Sequence, residues 1–303
     1  MSASTTEPAR RAVFASTRAG ADPRDAANWT RRQVAENNLR ALLGRAYPRV
    51  RAMVREPSWL FFEILLPFLT TSAFVFVYRA LQAPEEYIGF VVLGGAMAAF
   101  WLNVVWMMAV QLYWEKSQGN LELYFAAPMH LMAVLLGMAL GGLIMTSVRA
   151  VAVLGIGTWL FGVQFNVEQW VLLAVVFLLT MAALYGLGMA LASLFLLWGR
   201  EAFHLVQAFI EPVYFVSGLN FPVGALGFLG AIAISTIPFA VGLDAMRQLV
   251  FAGQPYITGT PPPEVEALIL LGMAIGFTLL ARWMIRVIEK MARSRGTLSI
   301  RWQ

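Results

Sequence analysis

Between Ser58 and Ala281 the chain places only five of its 22 lysines and arginines, and it fills most of that stretch with long apolar runs. A hydrocarbon core of roughly 30 Å is crossed by about 20 helical residues, and most of these runs reach that length. Of the 303 residues, 59% are hydrophobic and 13% charged, against about half and about a quarter in soluble proteins. There is too little polar surface to cover soluble domains, so soluble and disordered classes are excluded. The chain has no cysteine, which removes disulfide scaffolds, thiolate metal sites and cysteine nucleophiles. The fold class is an all-α integral membrane protein.

The apolar runs predict six transmembrane helices, at 59–81, 87–114, 131–162, 168–198, 203–217 and 265–288. Eleven arginines precede Ser58 and six basic residues follow Ala281. Six crossings put both basic ends on one side, which the positive-inside bias makes the cytoplasm. Lys116 and Arg200 fall on that side, Arg79 and Arg247 fall in outer loops, and Arg149 lies within a span. Residues 1–32, rich in Ala, Arg, Ser and Thr, read as a mobile basic cytoplasmic tail, and 291–303 as a cytoplasmic C-terminal tail. No signal peptide is expected ahead of the first span.

Residues 33–57 carry Leu39, Leu42, Leu43, Ala46, Tyr47, Val50, Met53 and Val54 largely at helical spacing, with Arg45, Arg49, Arg51 and Arg55 between them. This pattern predicts an amphipathic helix on the membrane surface with its arginines toward lipid phosphates. The alternative is a solvated charged face. Pro48 is expected to kink the helix.

From 218 to 251 the sequence is apolar but broken by Pro222, Gly224, Gly227, Gly230 and Pro238. Non-helical backbone at membrane depth is tolerated only where protein or a water-filled cavity satisfies it. Residues 218–238 therefore read as an outer-leaflet re-entrant helical segment between spans five and six, followed by a short surface helix at 239–251. The alternative, a seventh span at 223–243, would carry the basic C-terminus outside. The loop at 253–263 is a connector.

Between spans two and three, Glu115 and Lys116 precede Gly119, Asn120, Leu121 and Glu122, and Pro128 closes the segment. Gly119 is expected to end one helix and Asn120 to cap a two-turn helix displaying Leu121, Leu123, Tyr124 and Phe125 beside Glu122. A short, partly apolar helix between two spans suits the docking of a soluble partner. This segment, with Ser217-Gly-Leu-Asn-Phe-Pro222 and the Pro238 to Arg247 stretch containing Asp244-x-x-Arg247, resembles the permease subunits of type-2 ABC exporters, the ABC-2 family. In that family a Gly-Thr-Leu-Glu core is usual, with Asn before the proline matching Pro238. Asn120 and Ile237 depart from the pattern. The resemblance runs from about Leu39 to Lys290.

The resemblance implies that 58–290 form an ABC-2 transmembrane domain and 33–57 its connecting helix, with Arg45, Arg49, Arg51 and Arg55 as its basic residues. Glu115, Gly119, Asn120, Leu121, Glu122, Leu123, Tyr124 and Pro128 would then be the coupling element. It also implies a bacterial inner-membrane homodimer, or a pair with a similar permease, bound to two copies of a cytoplasmic ABC ATPase subunit. No G-x-x-x-x-G-K-[ST] occurs, so ATP and Mg are expected on that ATPase, with no cofactor in this chain. Membrane lipids are expected partners, and nucleic acid is not.

Arg149 within a span calls for a carboxylate partner, and depth counted from the span ends favours Glu211 over Glu63. Gly137/Gly141, Gly95/Ala99 and Gly188/Ala192 are small pairs suited to helix packing within one chain. Phe100, Asn103, Trp106, Phe209, Tyr214 and Asn220 are candidates for a substrate pathway, which the family places along spans two and five. Aromatic rings with sparse amides suit a hydrophobic, drug-like or lipid cargo. A polysaccharide or lipid-linked glycan is the alternative cargo. A different class, the ion-coupled secondary transporter, would depend on titration of Glu211. No Ser/His/Asp cluster or H-E-x-x-H motif supports an intramembrane enzyme.

Overall fold

The computed structural model describes residues 30–127, 129–198, 201–251 and 261–295. Pro128, most of the 1–32 and 291–303 tails and most of the 253–263 loop lie outside the described residues, as do the side chains of Glu122, Phe125 and Phe209. Among the described residues every element is helical apart from one isolated bridge between Asn166 and Phe251.

Helix α1, Arg31–Arg55, opens on a capping box. The Thr30 hydroxyl accepts from the Gln33 amide, and the Gln33 side chain accepts from the Thr30 N–H at 2.9 Å. It runs through Pro48 without a break. Pro57 then occupies the first helical position of α2, Pro57–Ala80, where its missing N–H leaves nothing unsatisfied. Helix α3, Glu86–Leu102, continues through a π-helical segment, Asn103–Ala109, into α4, Gln111–Ser117. The short α5, Asn120–Ala126, leads into α6, Leu131–Phe161, which ends on Gly162 at φ 72°. Helix α7, Trp170–Trp198, precedes α8, Glu201–Val216. A 3-10 turn, Val223–Leu226, then leads to α9, Phe228–Thr236, and α10, Pro238–Val250. The last helix, α11, is Pro263–Arg295.

Five of these helical stretches are long and apolar enough to cross a membrane: Leu60–Ala80, Glu86–Ser117, Leu131–Phe161, Trp170–Leu196 and Pro263–Ile288. The chain is a multi-pass membrane protein. The expected fifth span is a shorter object. At 16 residues α8 is about 24 Å long at about 1.5 Å per residue.

The second span sits at the centre, with Phe90, Val104 and Met108 fully enclosed. Apolar lipid gives little drive for apolar helices to associate, so close contact between them depends on small residues and packing. The expected small pairs do that within the chain. Gly95 faces Thr71 of α2, Gly188 faces Val104 and Met108, and Gly137 and Gly141 seat α1. Gly186 likewise admits α11, where an added Cβ would lie 3.1 Å from that of Phe277.

The expected surface helix at 239–251 is corrected. Helix α10 is buried along nearly its whole length, wedged against α3, α7 and α11. Gly242 lets it close on Thr180, and Trp101 stacks on Phe239 with centroids 5.9 Å apart. Asp244, the two terminal nitrogens of Arg247 and Gln248 find hydrogen-bond partners inside the protein, which removes the need for a solvent face.

Candidate functional site

At one end of the bundle, α4 and α5 form a compact knob between two spans. Gly119 takes φ 77°, a left-handed conformation that ends α4 and turns the chain into α5. Asn120 does not cap α5, contrary to expectation. Its side-chain amide donates to Glu115 Oε2 at 3.0 Å and to Gln118 Oε1 at 3.3 Å. An amide nitrogen is a donor, and the nearest strong acceptor is a carboxylate.

Glu115, only 4% exposed, is the hub of this region. It pairs with Arg45 of α1 and accepts from Gln111 at 3.1 Å and from the Tyr124 hydroxyl at 2.9 Å, besides Asn120. Arg45 also lies over the Tyr124 ring, 5.9 Å from its centroid. One carboxylate therefore joins α1, α4 and α5. Two further bonds brace the knob: Asn38 of α1 accepts from the His130 N–H at 2.9 Å, and Lys116 donates to the Leu196 carbonyl at 3.4 Å. On α5, Leu121 is buried and Tyr124 turned inward, while Leu123 is 66% exposed. The expectation that all of these are displayed outward is corrected: residues 121 and 124 share a face, and Glu115 and Arg45 hold Tyr124 against the protein.

Arg49 makes a second anchor one turn further along α1. It donates to the Met138 carbonyl of α6 at 3.0 Å, to the Met107 carbonyl in the π segment at 2.7 Å, and to Gln111 Oε1 at 3.1 Å. Burial and the like charge of Arg45 lower its pKa to about 10, so it remains a cation at neutral pH. The wide π turn is a local departure from α geometry, frequent at functional sites. Here a half-buried guanidinium serves a carbonyl within it. Arg45 and Arg49 thus face protein rather than lipid phosphates, while Arg51 and Arg55 are exposed as expected. The exposed face of α1 includes Leu39, Leu43, Tyr47 and Val54. Helical periodicity gives two faces but does not say which meets the protein. Gly137 and Gly141 on α6 and the carboxylate of Glu115 decide it.

The intramembrane pair is also corrected. Arg149 Nη1 meets Glu63 Oε2 at 2.8 Å, with Thr146 accepting from Nη2 at 3.0 Å, while Glu211 is exposed on α8. Helix α1 runs parallel to α6, with residues 42 and 46 opposite 137 and 141. Helix α2 therefore begins well along α6 rather than level with its first residue, and Glu63 reaches Arg149.

The pathway candidates divide. Phe100 and Asn103 are packed within the chain's own core. Phe100 meets Phe177 edge-on at 5.6 Å, and Asn103 accepts from the Tyr185 hydroxyl at 3.3 Å. Both lie on the face of the second span that packs on α6 and α7. Trp106 is half-buried and lies 6.4 Å from Phe203 of α8, and Tyr214 is half-buried on the same helix. Phe209 lies outside the described side chains. Asn220 contributes its backbone, whose carbonyl accepts from Tyr78 at 2.8 Å.

That bond belongs to a third constellation at the opposite end. Arg247 was expected in an outer loop, but it is fully enclosed. It donates to the carbonyls of Gly218 at 2.7 Å, Leu219 at 2.7 Å, Phe221 at 3.2 Å and Phe90 at 3.0 Å. The Ser217–Pro222 turn, with Gly218 at φ 63°, aims its carbonyls at one planar fork. Gly94 leaves the room for Leu219 to approach α3. The two sequence motifs that looked separate, the turn and Asp244-x-x-Arg247, are one physical unit. Gln248, one residue on, links Asp244 at 3.0 Å to Glu266 of α11 at 3.2 Å. Among the described residues no group of three or more His, Asp or Glu side chains could hold a metal.

These features define a class: a multi-pass membrane protein whose short inter-span knob is locked by buried polar contacts to a lateral helix and to the central span. The family model for ABC-2 type transporters matches residues 39–251, and the chain belongs to that family. It is an ABC-2 transporter permease, and its family implies association with an ABC ATPase. No curated protein matches the chain in sequence.

Proposed function

We propose that this permease forms the export pathway for a hydrophobic or amphipathic molecule, drug-like or lipid, and that a separate ABC ATPase drives it through α4 and α5. The observation that carries the reading is the Glu115 hub. Force applied to α5 has a stiff route, through Asn120 and Tyr124 to Glu115, and from there to Arg45 of α1 and along α4 into the π segment. Low compliance matters because a loosely hung knob would absorb a partner's motion rather than pass it on. Leu123, an exposed apolar side chain of α5, is the docking contact.

The basic residues at both ends support six crossings with both termini cytoplasmic in a bacterial inner membrane, α8 making the fifth crossing and 218–238 the outer-leaflet re-entrant segment that follows it. Two permease copies and two ATPase copies complete the transporter, with Trp106 and Tyr214 on the pathway. The ring area of these residues, with few polar groups beside it, suits a hydrophobic or amphipathic cargo.

The test is reconstitution with the ATPase, comparing the native chain with Leu123→Asp and with alanine across 121–125. Loss of stimulated ATP hydrolysis and of export, with membrane insertion intact, is expected. Survival of both activities in both variants would remove α5 from the coupling role.

A further inference from the structure

At the end of the bundle opposite the knob, α6 and α7 diverge and leave a cavity of about 490 Å³. Its floor is Leu93 and Phe100 of α3 with Met246 of α10, and Phe165 and Val167 of the α6–α7 connection roof it. At its mouth stand Val151 and Trp170, each 68% exposed. Among the lining residues, all of them described, the polar side-chain groups are the Ser147 hydroxyl and the Trp170 indole. A buried water needs two to four polar partners, so this space does not suit water. Left empty, its Leu, Phe and Met walls would lose dispersion contacts on one side.

Both helices flanking the mouth are long and apolar enough to cross a bilayer, so the opening faces hydrocarbon. Just beyond the roof lie the exposed side chains of Gln164, Glu168 and Gln169, beside Trp170. An apolar slot beneath a polar rim with an indole at the boundary matches an amphiphile lying along the membrane normal. We propose that this cavity binds one acyl chain of a membrane lipid, held as a resident wedge between α6 and α7. The site is separate from the pathway reading above, since Trp106 and Tyr214 lie toward α8, and it stands whether or not that reading does.

The test uses the full-length chain with its ATPase in nanodiscs of phosphatidylethanolamine carrying a diazirine in one acyl chain. After photolysis, labelled peptides are mapped by mass spectrometry. Labelling of 147–154 and 170–177 is expected several-fold above that of the exposed apolar faces of α2 (Leu66, Leu69) and α11 (Leu268, Leu279). Ala174→Phe, which fills the slot, should remove the excess, and Ser147→Leu should reduce it. Val175→Phe, outside the slot, should leave it. Labelling no higher than on α2 and α11 would overturn the proposal. So would an excess that Ala174→Phe leaves unchanged, or one chased away by transported cargo. A Val151→Cys variant that forms a disulfide with a second copy of the chain would assign the slot to a protein interface instead.

Discussion

Replacing Glu115 with glutamine keeps the side chain's shape and one acceptor oxygen but removes its charge, so the Arg45 guanidinium loses its counter-ion. A hydrogen bond to a charged group contributes about 1.5–3 kcal/mol. Arg45 keeps 26% of its side chain exposed and can recruit water, which puts Glu115→Gln at the lower end, about 1.5–2 kcal/mol. Glu115→Ala goes further. Breaking one side of a buried pair costs about 3–5 kcal/mol. Asn120 keeps Gln118 as an acceptor, but the Gln111 amide nitrogen and the Tyr124 hydroxyl lose theirs, so the total lies at the upper end, about 5 kcal/mol. The assay is reversible denaturation in mild detergent, run as a double-mutant cycle with Arg45→Met, alongside ATPase-driven export in proteoliposomes. The cycle should return a coupling of about 1.5 kcal/mol or more, and Glu115→Gln should depress export more than it depresses binding of the ATPase. A coupling near zero, or export unchanged in Glu115→Ala, would refute the idea that this carboxylate ties α1, α4 and α5 into one unit.

Arg247→Lys replaces a planar fork that serves four carbonyls with a single ammonium, and it should cost about 2–3 kcal/mol. Because the chain has no cysteine, a lone Asn220→Cys reports on the turn, and its maleimide labelling should rise in the lysine variant. Either Glu63→Ala or Arg149→Ala should lower stability by about 3–5 kcal/mol, since each strands the other charge. The double exchange Glu63→Arg with Arg149→Glu should recover more than half of that loss, read from the same denaturation curves. Gly137→Val puts side-chain atoms against the Leu42 carbonyl and within 2.9 Å of the Arg45 Cβ. It should cost about 1–3 kcal/mol and, by pushing α1 off α6, mimic the export defect of the Glu115 variants.

The spans were legible because hydrophobic length is written directly into sequence. The run at 131–162 became Leu131–Phe161, and Gly119 ended α4 as its position suggested. What periodicity could not give was direction. Arg45 and Arg49 faced protein because a carboxylate 70 residues from Arg45, at position 115, and two glycines on α6 lay there. Depth arithmetic missed the Glu63 partner of Arg149 because it started every span at one level, whereas α1 lies along α6 and shifts α2. The π segment, which puts the Met107 carbonyl in reach of Arg49, has no marker in Asn103–Ala109. Arg247 was visible twice, as a positive charge in an outer loop and as part of a motif. Only the Gly218–Phe221 turn wrapped around it shows why it can be buried.

The most direct measurement of the central claim is accumulation of a fluorescent amphiphile in sealed proteoliposomes holding the permease alone, or the permease with its ABC ATPase. Transport that requires the ATPase and hydrolysable ATP, and that ignores an imposed proton gradient, is the predicted result. Uphill transport by the permease alone, collapsing when the gradient is dissipated, would contradict it.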